Sequence, residues 1–111
     1  MKYVRIFAES VADKDDYPLS FDLLLDGASK AAGDFYMYGL SGRPENDGQC
    51  YPFALVADGS MDFGAFLENE EDRWWQTDLR EKKIEIGAAF KVTEKQTIYD
   101  YKIVKIDELG G

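Results

Sequence analysis

With 111 residues, 45% of them apolar and 32% charged, the chain can build one domain with one core but not a core plus a separate cofactor domain. Acidic residues outnumber basic ones 22 to 13, and the formal charge of −9 repels phosphate backbones and anionic lipid while steering a basic protein partner inward. Histidine is absent and Cys50 is the single cysteine, which excludes an internal disulfide, a structural zinc site within one chain, and Ser-His-Asp or Cys-His nucleophiles.

The first residues, Met1-Lys2-Tyr3-Val4-Arg5-Ile6-Phe7, carry charges inside a short apolar run. They lack the continuous apolar stretch of a signal peptide, and the expected compartment is the cytoplasm. Alternation of Tyr3, Arg5 and Phe7 with Val4 and Ile6 predicts a strand over 2–8, followed by a polar loop from Ser10 to Tyr17.

Ser20 is suited to cap a helix over 20–32. Phe21, Leu24, Leu25, Ala28 and Ala32 would share one face, Asp22, Asp26 and Lys30 the other, and Gly33 would end it. The competing reading is a strand over 21–25 that turns at Asp26-Gly27; the helix is favoured. Asp34 to Leu40 reads as an aromatic-rich strand and Ser41 to Gln49 as a loop.

Residues 51–57 and 61–67 flank Asp58-Gly59, a hairpin signal. An acidic turn, Glu68 to Asp72, leads to Trp74-Trp75. Ile84, Ile86, Ala88, Phe90 and Val92 predict a half-buried strand, Thr93 to Gln96 a turn, and 98–106 a returning strand. The apolar phase changes across Lys102, which calls for a bulge or two-sided burial. Leu109-Gly110-Gly111 reads as a frayed tail. The sum is an α+β domain over 1–111: a mainly antiparallel, curved sheet of six or so strands with one helix packed on a face.

No phosphate-cradling glycine motif is present, and no cofactor is implied. Asp34, Asp62 and Glu85 are the carboxylates set most closely among apolar strand residues, where burial could make an acid or base. The run Glu68-Asn69-Glu70-Glu71-Asp72 lacks the spacing and glycine of a calcium loop, so no metal site is expected. Tandem tryptophans in an extended segment point to opposite faces, leaving one for a partner, unless the strand bends and both fill the core. Trp74, Trp75, Glu70, Glu71 and Asp72 are the candidate partner-binding residues. Tyr36, Tyr38, Tyr99 and Tyr101 could line one face, suited to an interface or a small apolar pocket.

The segment Thr77-Asp78-Leu79-Arg80-Glu81-Lys82-Lys83-Ile84-Glu85-Ile86-Gly87-Ala88-Ala89-Phe90, with Tyr99-Asp100-Tyr101-Lys102-Ile103 after it, resembles the closing hairpin of small acidic bacterial proteins, some of the toxin-immunity type. The resemblance falls within 77–106, transfers no functional residue, and implies a protein-binding role. The leading expectation is thus a non-catalytic acidic domain that binds a basic protein. The alternative is a small-molecule binder or weak carboxylate hydrolase with a tyrosine-lined pocket. An open sheet edge would also permit self-association.

Overall fold

Residues Lys2–Ser10 form β1, in which Val4, Ile6, Ala8 and Ser10 point inward and Arg5, Phe7 and Glu9 outward. The two-residue period of side chains along a strand produces this split directly. A computed structural model describes residues 2–12, 18–32, 37–42, 50–64 and 74–109, with Cys50 described by its backbone alone. The remaining strands are β2 (Leu19–Leu25), β3 (Met37–Gly42), β4 (Cys50–Leu55), β5 (Ser60–Asp62), β6 (Trp74–Thr77), β7 (Ala89–Glu94) and β8 (Thr97–Glu108). Each pairs antiparallel with the next, and β8 returns to β1, so the sheet closes into a barrel in chain order.

This overturns the α+β expectation. The described residues contain no α-helix, only a 3₁₀ turn at Leu79–Glu81, and eight strands instead of six. The span 20–32 is the main reason. Phe21, Leu23 and Leu25 are all buried at strand spacing, and the competing strand reading is the one the structure adopts. β1 and β2 run in register from Lys2↔Leu25 to Ala8↔Leu19. The Asp26 carboxylate then accepts the Ala28 and Lys30 amides, and Asp26 N–H donates to the Lys30 carbonyl. The spacing of Asp26 and Lys30 that suggested a helix face belongs to a turn closed by side chain and backbone.

The strand expected over 84–92 starts only at Ala89, because Gly87 takes φ 92° and turns the chain. Ile84 is buried, but Ile86 is 68% exposed. The expected turn at Thr93–Gln96 is tighter, with Glu94 paired to Thr97 across Lys95-Gln96. The Asp58-Gly59 hairpin forms as expected, between β4 and β5. The bulge also forms. Phe7 pairs with Lys105 and Ala8 with Ile103, so Val104 is the extra residue and the phase flips there. Leu109 is not frayed, since its amide donates to the Tyr3 carbonyl at 3.0 Å. Residues 110 and 111, and the loop segments at 13–17 and 43–49, lie outside the described residues.

Inside, Phe21 meets Phe53 and Phe90 edge-on at 5.2 and 5.9 Å between ring centroids, and Phe90 stacks on Tyr101. Burial of these side chains supplies the main driving force for closure. Among the described residues the sheet closes on itself, each strand paired with a neighbour on both sides. No described helix is long and apolar enough to cross a membrane.

Candidate functional site

The outward side chains of neighbouring strands line up in rows, because cross-strand pairs on one face stand about 5 Å apart. Backbone register sets one row as Asp107, Arg5, Asp22, Tyr38, Ala54, Asp62 and Trp74, crossing from β8 to β6. A second row, Lys105, Phe7, Ser20, Leu40 and Pro52, runs beside it. The second row and the Arg5-to-Asp62 part of the first line an open groove of about 910 Å³ on the outer wall of β1–β5, with Val104 of the bulge at one side and Asp107 and Trp74 beyond its two ends.

The groove is mostly apolar and its ions are arranged at the edges. At the β1 end the Arg5 guanidinium grips Asp22 with two bonds, Nε to Oδ1 at 2.7 Å and Nη2 to Oδ2 at 3.0 Å. The Asp22 carboxylate, by hydrogen bond and by charge, raises the Arg5 guanidinium above its ordinary value, and Asp107 adds to this. Lys105 lies over the Phe7 ring at 5.2 Å and 3.5 Å from Asp107. At the β5 end the Asp62 carboxylate accepts the Gly64 amide at 2.8 Å. Tyr38, 65% exposed, stands between the two ends.

The tryptophans divide as alternation requires. Trp74 is 42% exposed and stands next to Asp62 in register, one strand beyond the groove. Trp75 packs inward on Phe63 at 4.6 Å between ring centroids. Trp75 is therefore part of the barrel filling and Trp74 alone faces outward. Glu70, Glu71 and Asp72 lie outside the described residues, as do Asp34 and Tyr36.

The three described tyrosines of the four do not share a face. Tyr101 is buried in the core and Tyr99 half-buried against it, while Tyr38 is exposed in the groove. Of the three singled-out carboxylates, Asp62 lines the groove and Glu85 sits in an exposed loop, 3.7 Å from Lys83. Among the described residues no cluster of three potential ligands is placed to hold a metal ion. Arg5, Phe7, Leu40 and Ala54 are site residues that sequence reasoning missed. Their only signal was outward phase on strands, and it becomes a site only once the register is known.

Comparison with family models, with curated proteins and with solved structures finds no significant match to this chain.

Proposed function

We propose that this is a non-catalytic binding domain, cytoplasmic and inhibitor- or immunity-like, that takes a basic protein partner on the β1–β5 groove and the adjoining Trp74. The observation that carries this reading is the single outward row in which Tyr38 and Trp74 alternate with Asp22 and Asp62. Aromatic anchors set among apolar side chains, with charge at the rim, are what a protein interface needs. The overall charge of −9 favours a basic partner and speeds its arrival. Capture from host lysate with salt elution, followed by titration of the purified partner against the wild type and Trp74→Ala, tests it. A stoichiometric basic partner that binds the variant several-fold more weakly supports the reading, and equal binding by the variant removes it.

A second reading, small-molecule binding in the same groove, is favoured by the volume, which lies within the range of about 300–1,000 Å³ typical of ligand pockets. A thermal-shift screen separates the two, because a ligand bound only by the folded state raises its apparent stability.

A further inference from the structure

The dipeptide Asp-Gly occurs three times in the chain, at Asp26-Gly27, Asp47-Gly48 and Asp58-Gly59. A backbone nitrogen attacks the preceding carboxyl most readily at this pair, because glycine has no Cβ to hinder the approach. Asp47-Gly48 lies outside the described residues. In the other two the carboxyl is placed alike: Asp26 Oδ1 accepts the Ala28 amide at 2.8 Å, and Asp58 Oδ1 accepts the Ser60 amide at 2.8 Å. The small ring closed by each bond contains the two atoms that would have to join, Cγ of the aspartate and N of the glycine.

The glycines differ. Gly59 is buried at φ 92°, its amide donates to the Val56 carbonyl at 3.0 Å, and its carbonyl accepts the Thr77 amide at 2.9 Å. The Asp58 carbonyl accepts from Gln76 Nε2 at 2.9 Å, so the peptide joining Asp58 to Gly59 is held at both its oxygen and its nitrogen. A Cβ at Gly59 would stand 2.5 Å from the Thr77 carbonyl oxygen, which shows how closely β6 backs the turn. Bringing the Gly59 nitrogen onto Cγ means opening the hairpin. The Ser60 bonds also hold the Asp58 carboxyl below the usual aspartate range, away from the neutral form that loses water. Gly27, in contrast, is exposed, and a Cβ built on it meets nothing within 4 Å among the described residues. The peptide joining it to Asp26 is held by the Ser29 amide, which donates to the Asp26 carbonyl at 3.1 Å, a bond inside the turn itself. Turning that peptide breaks no pairing between strands.

We infer that Asp26-Gly27 is a covalent modification site, where the chain rearranges to an isoaspartyl linkage through a cyclic imide, while the β4–β5 hairpin holds the same chemistry off at Asp58-Gly59. The Gly27 nitrogen bonds to Cγ of Asp26, and its proton leaves with the carboxyl hydroxyl as water. Water then reopens the five-membered ring. Opening at the side-chain carbonyl restores aspartate, and opening at the main-chain carbonyl routes the backbone through Cβ and Cγ. Mass and oxidation state are unchanged, and water is the only co-reactant. The chemistry is independent of what the groove binds. Its consequence is local: the backbone gains a carbon, and the carboxylate that the Ala28 and Lys30 amides use is moved. The Ser29 carbonyl, which accepts the amide of the buried Ile84 at 2.7 Å, shifts with it, so the 26–32 turn loosens from the segment before β7.

The test keeps the full folded chain in oxygen-18 water at mildly acidic pH, digests it in ordinary water, and maps it by fragmentation mass spectrometry. Each reopening of the imide leaves a heavy oxygen at the aspartate concerned, and isoaspartate is recognised by its own backbone fragments. Label should enter at Asp26 about tenfold faster than at Asp58, the two rates converging to within about twofold in guanidinium, where both turns are gone. Gly27→Ala, whose added methyl has open space, should keep the fold and slow labelling at Asp26 several-fold. In the separated isoaspartyl form the Ile84 amide should exchange with solvent faster than in the parent. Labelling of folded Asp58 at the Asp26 rate or above, the same tenfold ratio in guanidinium, or an undiminished rate in Gly27→Ala would each overturn the site. Equal exchange at Ile84 would overturn its consequence for the turn.

Discussion

Gly39 lies between Phe21 and Phe53 in the inward row, and its missing side chain is what lets the two rings meet edge-on. A Cβ at Gly39 would stand 2.5 Å from Cζ of Phe53 and would also collide with the Ser20 carbonyl oxygen. The ring could swing aside, but the carbonyl belongs to the β2 ladder and cannot. Gly39→Ala is expected to destabilise the barrel by about 1–3 kcal/mol, the usual cost of overpacking. Adding Phe53→Leu should restore less than half of the loss, because the backbone collision remains. Urea denaturation of the single and double variants measures both, and full restoration would show that the ring alone was in the way.

Asp58 organises the β4–β5 hairpin by accepting the Ser60 amide at 2.8 Å. Bonds from the Ser60 backbone and hydroxyl hold the Asp58 carboxyl below the usual aspartate range, and the charge of Arg80 adds a smaller push. A carboxyl depressed in the folded state stabilises it above the unfolded value of about 3.9. That contribution disappears as pH falls through the lower folded value. Carboxyl-carbon resonances followed against pH should place Asp58 below ordinary aspartate. The stability advantage of the wild type over Asp58→Ala should shrink towards acid. A folded-state titration at or above the ordinary value would refute this.

Thr77, buried where β6 meets the 3₁₀ turn, donates its hydroxyl to the Lys91 carbonyl at 2.8 Å and accepts the Leu79 amide at 3.2 Å. Thr77→Val keeps the shape but strands the buried Leu79 amide and leaves the Lys91 carbonyl with only the long bond from the Asp78 amide, at 3.4 Å. The expected loss is about 1–3 kcal/mol, most of it recovered in Thr77→Ser. Thermal or chemical melts give the comparison, and a valine variant as stable as the wild type would mean that neither bond matters.

Legibility in the sequence followed the range of the signal. β1, the Asp58-Gly59 hairpin and the return at Lys95-Gln96 are local patterns and were readable. Leu23-Leu24-Leu25 satisfies a helical and an alternating period at once, so β2 was decided by pairing with β1, which no local window contains. Ile86 continues an alternation that Gly87 breaks by its left-handed backbone. At the site, Tyr38, Asp62 and Trp74 each drew notice for their chemistry, but nothing in the chain joins them. Ala54, which spaces the row, has no chemistry to notice and acquires meaning only from its two cross-strand neighbours.

β5 is the shortest of the described strands, three residues, and a side chain from outside the ladder bonds the adjacent end of β4. Arg80, in the turn after β6, reaches back to the end of β4. Its Nε donates to the Val56 carbonyl at 3.0 Å and its Nη2 to the Leu55 carbonyl at 3.1 Å. The same Val56 carbonyl accepts the Gly59 amide, so the guanidinium fastens the hairpin at its root. Bonds from a charged donor contribute about 1.5–3 kcal/mol, and Arg80→Ala should cost about that much. Lysine lacks the planar fork and should recover only part. The loss should be local as well as global: the Val56 amide, bonded to the Ser60 carbonyl at 2.8 Å, should exchange with solvent faster than amides of β1 and β2. Hydrogen exchange of wild type, Arg80→Ala and Arg80→Lys decides it. Uniform acceleration across the barrel would assign Arg80 a global role, and an unchanged Val56 amide would show that β5 holds its place without the staple.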